Sequence, residues 1–349
     1  MPRRLLLLLV IIALAPGTWL RSTPARYDRA ERLTVNPLAI PQHCCRIGPL
    51  RLSGAWHLTS RNELFGSYSA LHENADGSLL ALSDTGYYLR FPAPPKQPGR
   101  VEFGRVPANW AVLHNLRDIE SLTTDPRSGQ AWIAVESGNV IFRFDPLGRQ
   151  NGMAAPPAMH DWPHNLGPEA MVRLGDGRFV VLGESYRNWL DRTRHPALLF
   201  SADPVERGTV QSFTFRGPPG YRPTDMAQLP DGRVLILVRQ VLQPFPIRFS
   251  IRLILADPAQ IVPGQDWSGI DLGEVPAPSL VDNYEGLAIS APPGRPIRVW
   301  MISDNNASAF ERVLLLAWDL NPADLPPSAP PMQKGAPTAA STPLHSAGS

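Results

Sequence analysis

The chain has 349 residues, with 33 basic against 31 acidic side chains and a net charge of +2, which excludes a general electrostatic nucleic-acid binder. All but two of the basic residues are arginine, the exceptions being Lys96 and Lys334. The two cysteines, Cys44 and Cys45, cannot build a disulfide scaffold; their adjacency disfavours a simple bridge and offers no metal-ligand spacing.

The chain opens with Arg3-Arg4 and a purely apolar run from Leu5 to Ala15. That is the pattern of an export signal, and the run is shorter than the ~20 residues needed to span a bilayer. Residues 1–25 are therefore expected to be a signal peptide or an N-terminal anchor. Ala13-Leu-Ala15, followed by Pro16, and Thr23-Pro-Ala25 are the candidate cleavage sites. The expected location is periplasmic or secreted, with membrane contact through residues 5–20 only if the segment stays uncleaved. Residues 26–47 read as a linker. Residues 321–349, rich in Pro, Ala and Ser, read as a disordered tail. Between them, 48–320 reads as one all-β domain, because prolines and glycines, 39 and 27 over the whole chain, punctuate it into short strands.

Within that domain one pattern recurs five times: a short strand, a tight turn, then a strongly apolar strand. The units begin near Ser69, Glu120, Glu169, Asp225 and Glu285. Asp76-Gly77, Asp176-Gly177 and Asp231-Gly232 are hairpin turns. Third strands follow at Tyr87–Phe91, Val140–Phe144, Ala197–Ser201, Phe249–Leu255 and Val313–Trp318. Fourth strands fit Val101–Val106, Thr209–Phe215 and Gly269–Val275, while the second unit shows none clearly. Units of this size match propeller blades. The predicted fold is a β-propeller of five four-stranded blades, with loops long enough to hide a sixth. The strand near 50–58 would close the ring and leave no exposed edge.

The charges follow the repeat. Seven residues beyond the turn glycines Gly77, Gly129, Gly177 and Gly232 stand Asp84, Glu136, Glu184 and Arg239, and Asp304 takes that place in the fifth unit. A hairpin brings the start of its first strand beside the end of its second, so Glu169 and Glu184 are expected to face each other. One channel mouth should then carry Asp84, Glu120, Glu136, Glu169, Glu184, Glu285 and Asp304. Like charges so close need a counter-charge. Ca2+ is one candidate source; Arg117, Arg187, Arg222 and Arg239 are another.

The segments Gly66-Ser-Tyr-Ser-Ala-Leu71, Leu82-Ser-Asp-Thr-Gly86, Asp118-Ile-Glu-Ser-Leu122, Gly167-Pro-Glu-Ala-Met171, Asn283-Tyr-Glu-Gly-Leu-Ala288 and Ser303-Asp-Asn-Asn306 together resemble the phytase-like family, "esterase-like activity of phytase". The resemblance implies a propeller with repeated acids, export, and phosphoesterase or esterase activity. Glu169-Ala-Met with Gly183-Glu-Ser-Tyr-Arg-Asn-Trp189 is also similar to calcium-dependent apyrases, which implies five blades and a central Ca2+. Propeller phytases hold phosphate with lysines as well as arginines; here no lysine lies between Lys96 and Lys334, so arginine forks would have to serve.

No Gly-x-Ser-x-Gly elbow, His-Glu-x-x-His helix or cysteine cluster is present. The reading is a metal-dependent hydrolase of phosphate esters or related esters, acting on a small molecule. Glu169, Glu184, Arg187 and Arg239 are its candidate catalytic residues. Arg117, Arg222 and His164 are candidates for substrate binding, although an ordinary loop histidine is the plainer account of His164. Asp84, Glu120, Glu136, Glu169, Glu285 and Asp304 are candidate metal ligands. The alternatives are a non-catalytic binding propeller of the cell envelope and a lactonase-type propeller enzyme.

Overall fold

A computed structural model describes residues 28–40, 45–95, 99–106, 118–206, 208–244, 247–276, 278–292, 294–308 and 310–327. The expected leader, residue Arg117 and most of the expected tail lie outside them. Five antiparallel sheets form the five blades, each counted outward from its innermost strand. The first holds Tyr68–Glu73, Ser78–Ser83, Tyr87–Pro92 and Glu102–Arg105. The second holds Ile119–Thr124, Ala131–Val135, Val140–Phe144 and Gln150–Ala154. Its fourth strand escaped the sequence because Gln150–Ala154 is polar and half exposed, with no apolar run to mark it. The third holds Pro168–Arg173, Phe179–Gly183, Arg194–Phe200 and Val210–Arg216, with Asp266–Ser268 added in parallel at its edge. The fourth holds Arg222–Gln228, Val234–Pro244, Ile247–Ala256 and Ile270–Glu274.

In the fifth blade, Asn283–Ser290, Ile297–Asp304 and Val313–Leu320 come from the end of the domain. Leu50–Thr59, from its beginning, pairs antiparallel with Val313–Leu320 and closes the ring. Thr34–Pro37, inside the segment read as linker, adds a further outer strand against Leu50–Thr59.

The repeated turns explain the hairpins. Asp76, Asp176 and Asp231 each accept, through Oδ1, the amide two residues on, at 3.0–3.1 Å. Gly77, Gly177 and Gly232 follow with φ of 76–92°, where only glycine is unstrained. His72 and Glu73 end the innermost strand of the first blade.

The core lies between blades. In Ala131–Val135, Trp132 and Ala134 pack toward the third blade, while Ile133 and Val135 pack toward the first. A strand covered on both faces needs apolar residues at every position, so these strands read as continuous runs. Trp132 meets Phe179 edge-on at 4.9 Å and donates its indole N–H to Asp203 at 2.9 Å. Cys45 is buried and disulfide-bonded. The sequence reading disfavoured a bridge at this position; Cys44 lies outside the described residues.

Candidate functional site

The five innermost strands meet around a central channel. In every blade the pairing of the two inner strands slips by one residue at the same height. The extra residues are Ser69, Glu120, Glu169, Thr224 and Glu285. Such a bulge leaves its residue unpaired and re-aims the side chain. Two sequence expectations change here. Glu169 is bulged and does not oppose Glu184, whose amide instead donates to the Gly167 carbonyl at 2.9 Å. In the fourth blade the equivalent residue is Thr224, not Asp225. Asp225 is buried between blades and accepts the amides of Met226 and Leu287.

The strand-end residues lie just beyond the bulges. Asp84, Glu136 and Glu184 donate their amides to the carbonyls of Ser67, Asp118 and Gly167 at 2.8–3.0 Å. Arg239 pairs with Arg222, and Asp304 with Asn283, at the same level. The seven acids singled out by the repeat thus share one mouth. Three of them converge: carboxylate oxygens of Glu120, Glu136 and Glu169 lie within 4.8 Å of one another. Glu136, Glu169, Glu184 and Asp304 are all buried.

Burial, and then mutual repulsion, push these carboxyls toward the protonated form. Burial raises Glu120 well above the ordinary range, helped by Glu285, Glu136, Asp84 and Glu184. Burial raises Glu169 likewise, helped by Glu120, Glu184, Glu136 and Glu285. Glu136 is pushed up to about 7, chiefly by burial, although the Gly167 amide donates to its Oε1 at 2.9 Å and opposes the shift. Asp304, Glu285 and Asp84 are raised as well, burial again leading.

Arg239 supplies the central positive charge. Its guanidinium donates to Glu285 and Asn283, and to Glu184 at 3.2 Å. These carboxylates hold it firmly charged against the effect of burial. Arg222 binds the other oxygen of Glu184 at 3.1 Å and lies 5.1 Å above the Tyr186 ring. Arg187 and His164 are exposed on mouth loops, where His164 Nδ1 sits 3.2 Å from the Ser137 carbonyl. Trp189 is 80% exposed and covers no blade.

Three contributors were missed in the sequence reading. Asp118 adds negative charge beside Asp84 and Glu136. Asn283 ties Arg239 to Glu285. Gly167 leaves room for Glu136: a Cβ there would lie 2.4 Å from Asn139 Oδ1 and 3.1 Å from Glu136 Cγ. All three stand inside or beside the short motifs, but only the folded ring shows what they touch.

The donor set suits a hard cation. Ca2+ takes 6–8 oxygens at about 2.3–2.6 Å, so ligands across the ion stand about 5 Å apart. That matches the spread of the three glutamates. Asp84 Oδ1, buried at the same mouth, has no hydrogen-bond partner.

Among curated protein sequences none matches this chain. Solved structures with related shape include glutaminyl cyclase of Myxococcus xanthus, at 12% identity and a TM-score of 0.44, covering 74% of this chain and 93% of that one. Another is the Cps50 (Swd1) β-propeller domain of Myceliophteria thermophila, at 10% identity and a TM-score of 0.37, covering 78% and 100%. The family model described as "Phytase-like: Esterase-like activity of phytase" matches residues 63–307, well over half of the chain and every blade of the ring. The chain therefore belongs to the phytase-like family of β-propellers.

Proposed function

We propose that this propeller is a calcium-dependent hydrolase of phosphate esters or related esters. The observation that carries the reading is the convergence of Glu120, Glu136 and Glu169, the first half-buried and the other two buried, all without an ion-pair partner among the described residues. Those three would hold Ca2+, with Asp84, Glu285 and Asp304 around them. When bound, Ca2+ supplies Lewis acidity toward a phosphoryl or carbonyl oxygen. Arg239, fixed from three sides, offers preorganised positive charge to an oxygen that becomes more negative in the transition state. Glu184 keeps Arg239 and Arg222 in place through both of its oxygens. Glu169 sets the charge of the pocket beside them, and Arg187 lies on the rim where an incoming anion passes. No protein nucleophile is needed.

A second reading, a non-catalytic binding propeller, is favoured by one observation: both central arginines are already engaged by Glu184 or Glu285. A panel of phosphate esters, carboxylic esters and lactones decides between them, run with Ca2+ or with EDTA on wild type and Glu169→Gln. Calcium-dependent turnover lost in the variant supports the hydrolase. Turnover of lactones alone selects the lactonase. No turnover, with calcium-dependent melting retained, supports the binding propeller. We also infer export from the apolar run at Leu5–Ala15; mass spectrometry of the mature N-terminus tests it. Among the described residues no helix is long and apolar enough to cross a membrane.

A further inference from the structure

A second concavity of about 820 Å³ opens on the acidic face, between the fourth and fifth blades. It exists because the second strand of the fourth blade does not stop at the mouth. It runs past Arg239 to Pro244, and the return strand starts at Ile247, so the paired strands extend beyond the level of Arg239. Across from it, the loop after Asp304 carries Phe310. Leu242 is 58% and Phe310 60% exposed, and both line the cavity together with Ile247, Phe249 and Val275. Single exposed apolar residues are ordinary. Two large ones sharing a cavity with further apolar side chains make a binding wall.

One wall of this cavity reaches Arg239, the arginine that binds the mouth acids. The Phe249 ring lies 6.0 Å from the Arg239 guanidinium, which is bound to Glu285 and Glu184. Asp282, also in the lining, directly precedes Asn283, another partner of Arg239. The charges argue against a polyanion. Arg222 and Arg239 are held by carboxylates, and Arg312 is held by Asp282 at 3.1 Å. Of the arginines lining the cavity, Arg248 has no ion pair among the described residues. Arg248 and Glu311 are the lining charges without an ion pair among the described residues, so the cavity offers an apolar wall with balanced charge, which suits an apolar arm and not a polyanion.

We infer that this cavity is the apolar subsite of the site described above, and that its substrates are amphiphilic esters. The phosphoryl or acyl group points to the acid cluster, and an alkyl arm lies along Leu242, Phe249 and Phe310. The inference rests on the hydrolase reading for the fate of the ester bond, but not for binding. Each methylene buried there should tighten binding about threefold to fourfold.

The test is titration calorimetry of the full chain with octyl phosphate and ethyl phosphate, in Ca2+, below the micelle concentration. Wild type should bind octyl phosphate at least about tenfold more tightly than ethyl phosphate. The double variant Leu242→Ser/Phe310→Ser should close that gap to about twofold, with ethyl phosphate binding and melting temperature unchanged, because both side chains are exposed. Equal affinities in wild type, no measurable octyl phosphate binding, or an unaltered gap in the variant overturns the inference. Hydrolysis of p-nitrophenyl acetate and octanoate separates the two claims. Turnover without chain-length preference removes the subsite and leaves the hydrolase; octyl preference in binding without turnover of either ester or of octyl phosphate leaves the subsite and removes the hydrolase.

Discussion

The acid cluster sets up a competition between proton and cation that one substitution can expose. Two ionised carboxylates 4.8 Å apart repel by about 3 kcal/mol at an effective dielectric of about 20. Three such pairs would cost about 10 kcal/mol, comparable to the whole stability of an ordinary domain. Without a cation the cluster must therefore keep protons. Glu136, with an ordinary value of 4.5 and a folded value of about 7, binds more protons folded than unfolded between those pH values. Its contribution is fully present below about pH 4.5 and lost as pH rises through about 7, a cost on the order of 3 kcal/mol. Glu169→Gln removes one charge and keeps the shape. In EDTA at pH 8 it should raise stability by about 1–3 kcal/mol. Ca2+ at a hundred times its Kd should stabilise wild type by about 2.7 kcal/mol, or roughly 5–10 °C, and the variant much less. At pH 5 the calcium effect should shrink in wild type, because protons already fill the cluster. Scanning calorimetry at both pH values, with Ca2+ and with EDTA, reads all of this. A calcium-insensitive wild type together with a destabilised variant in EDTA at pH 8 would refute the reasoning.

Arg239→Met leaves Glu184 and Glu285 buried without their guanidinium and should cost about 3–5 kcal/mol in urea unfolding, with Glu285→Gln restoring part of it. Gly167→Ala forces its Cβ against Asn139 and Glu136, and should weaken calcium affinity, read by calorimetric titration, more than it lowers the melting temperature. Burial lowers His195 to about 4, so its neutral form stabilises the fold above about pH 6.5 and that stability is lost as pH falls toward 4. His195→Phe should flatten this acid limb, whose slope opposes that of the glutamates; an unchanged limb in pH-dependent melts would contradict it. Trp132→Ala should cost about 3–5 kcal/mol, because its indole fills the seam between the second and third blades, and urea unfolding measures it.

The ring was legible in the linear chain because its determinants are local. An Asp-Gly turn forms wherever it occurs, and a strand covered on both faces must be apolar throughout. The repeat of these two features gave the five blades and the closing strand at Leu50–Thr59. Strand ends with acids also follow from turn spacing, so Asp84, Glu136, Glu184 and Asp304 were found at one mouth. The weak outer strand Gln150–Ala154 was lost because it buries little.

What spacing could not reveal was register. A bulge adds one residue without changing the pattern of apolar positions, so Glu169 seemed to face Glu184, and Asp225 stood in for Thr224. Which acids converge, and which are taken by arginine, depends on how neighbouring blades stand around the channel. Arg239 binds Glu285 from the next blade and Glu184 from the previous one. The amino-acid sequence by itself determined the blade, its turns and the acidic mouth, since those are properties of one hairpin. Only the closed ring decided that Glu120, Glu136 and Glu169 form a cluster, and that a cavity opens on the far side of Arg239. Both are contacts between residues far apart in the chain, set by the packing of sheet on sheet.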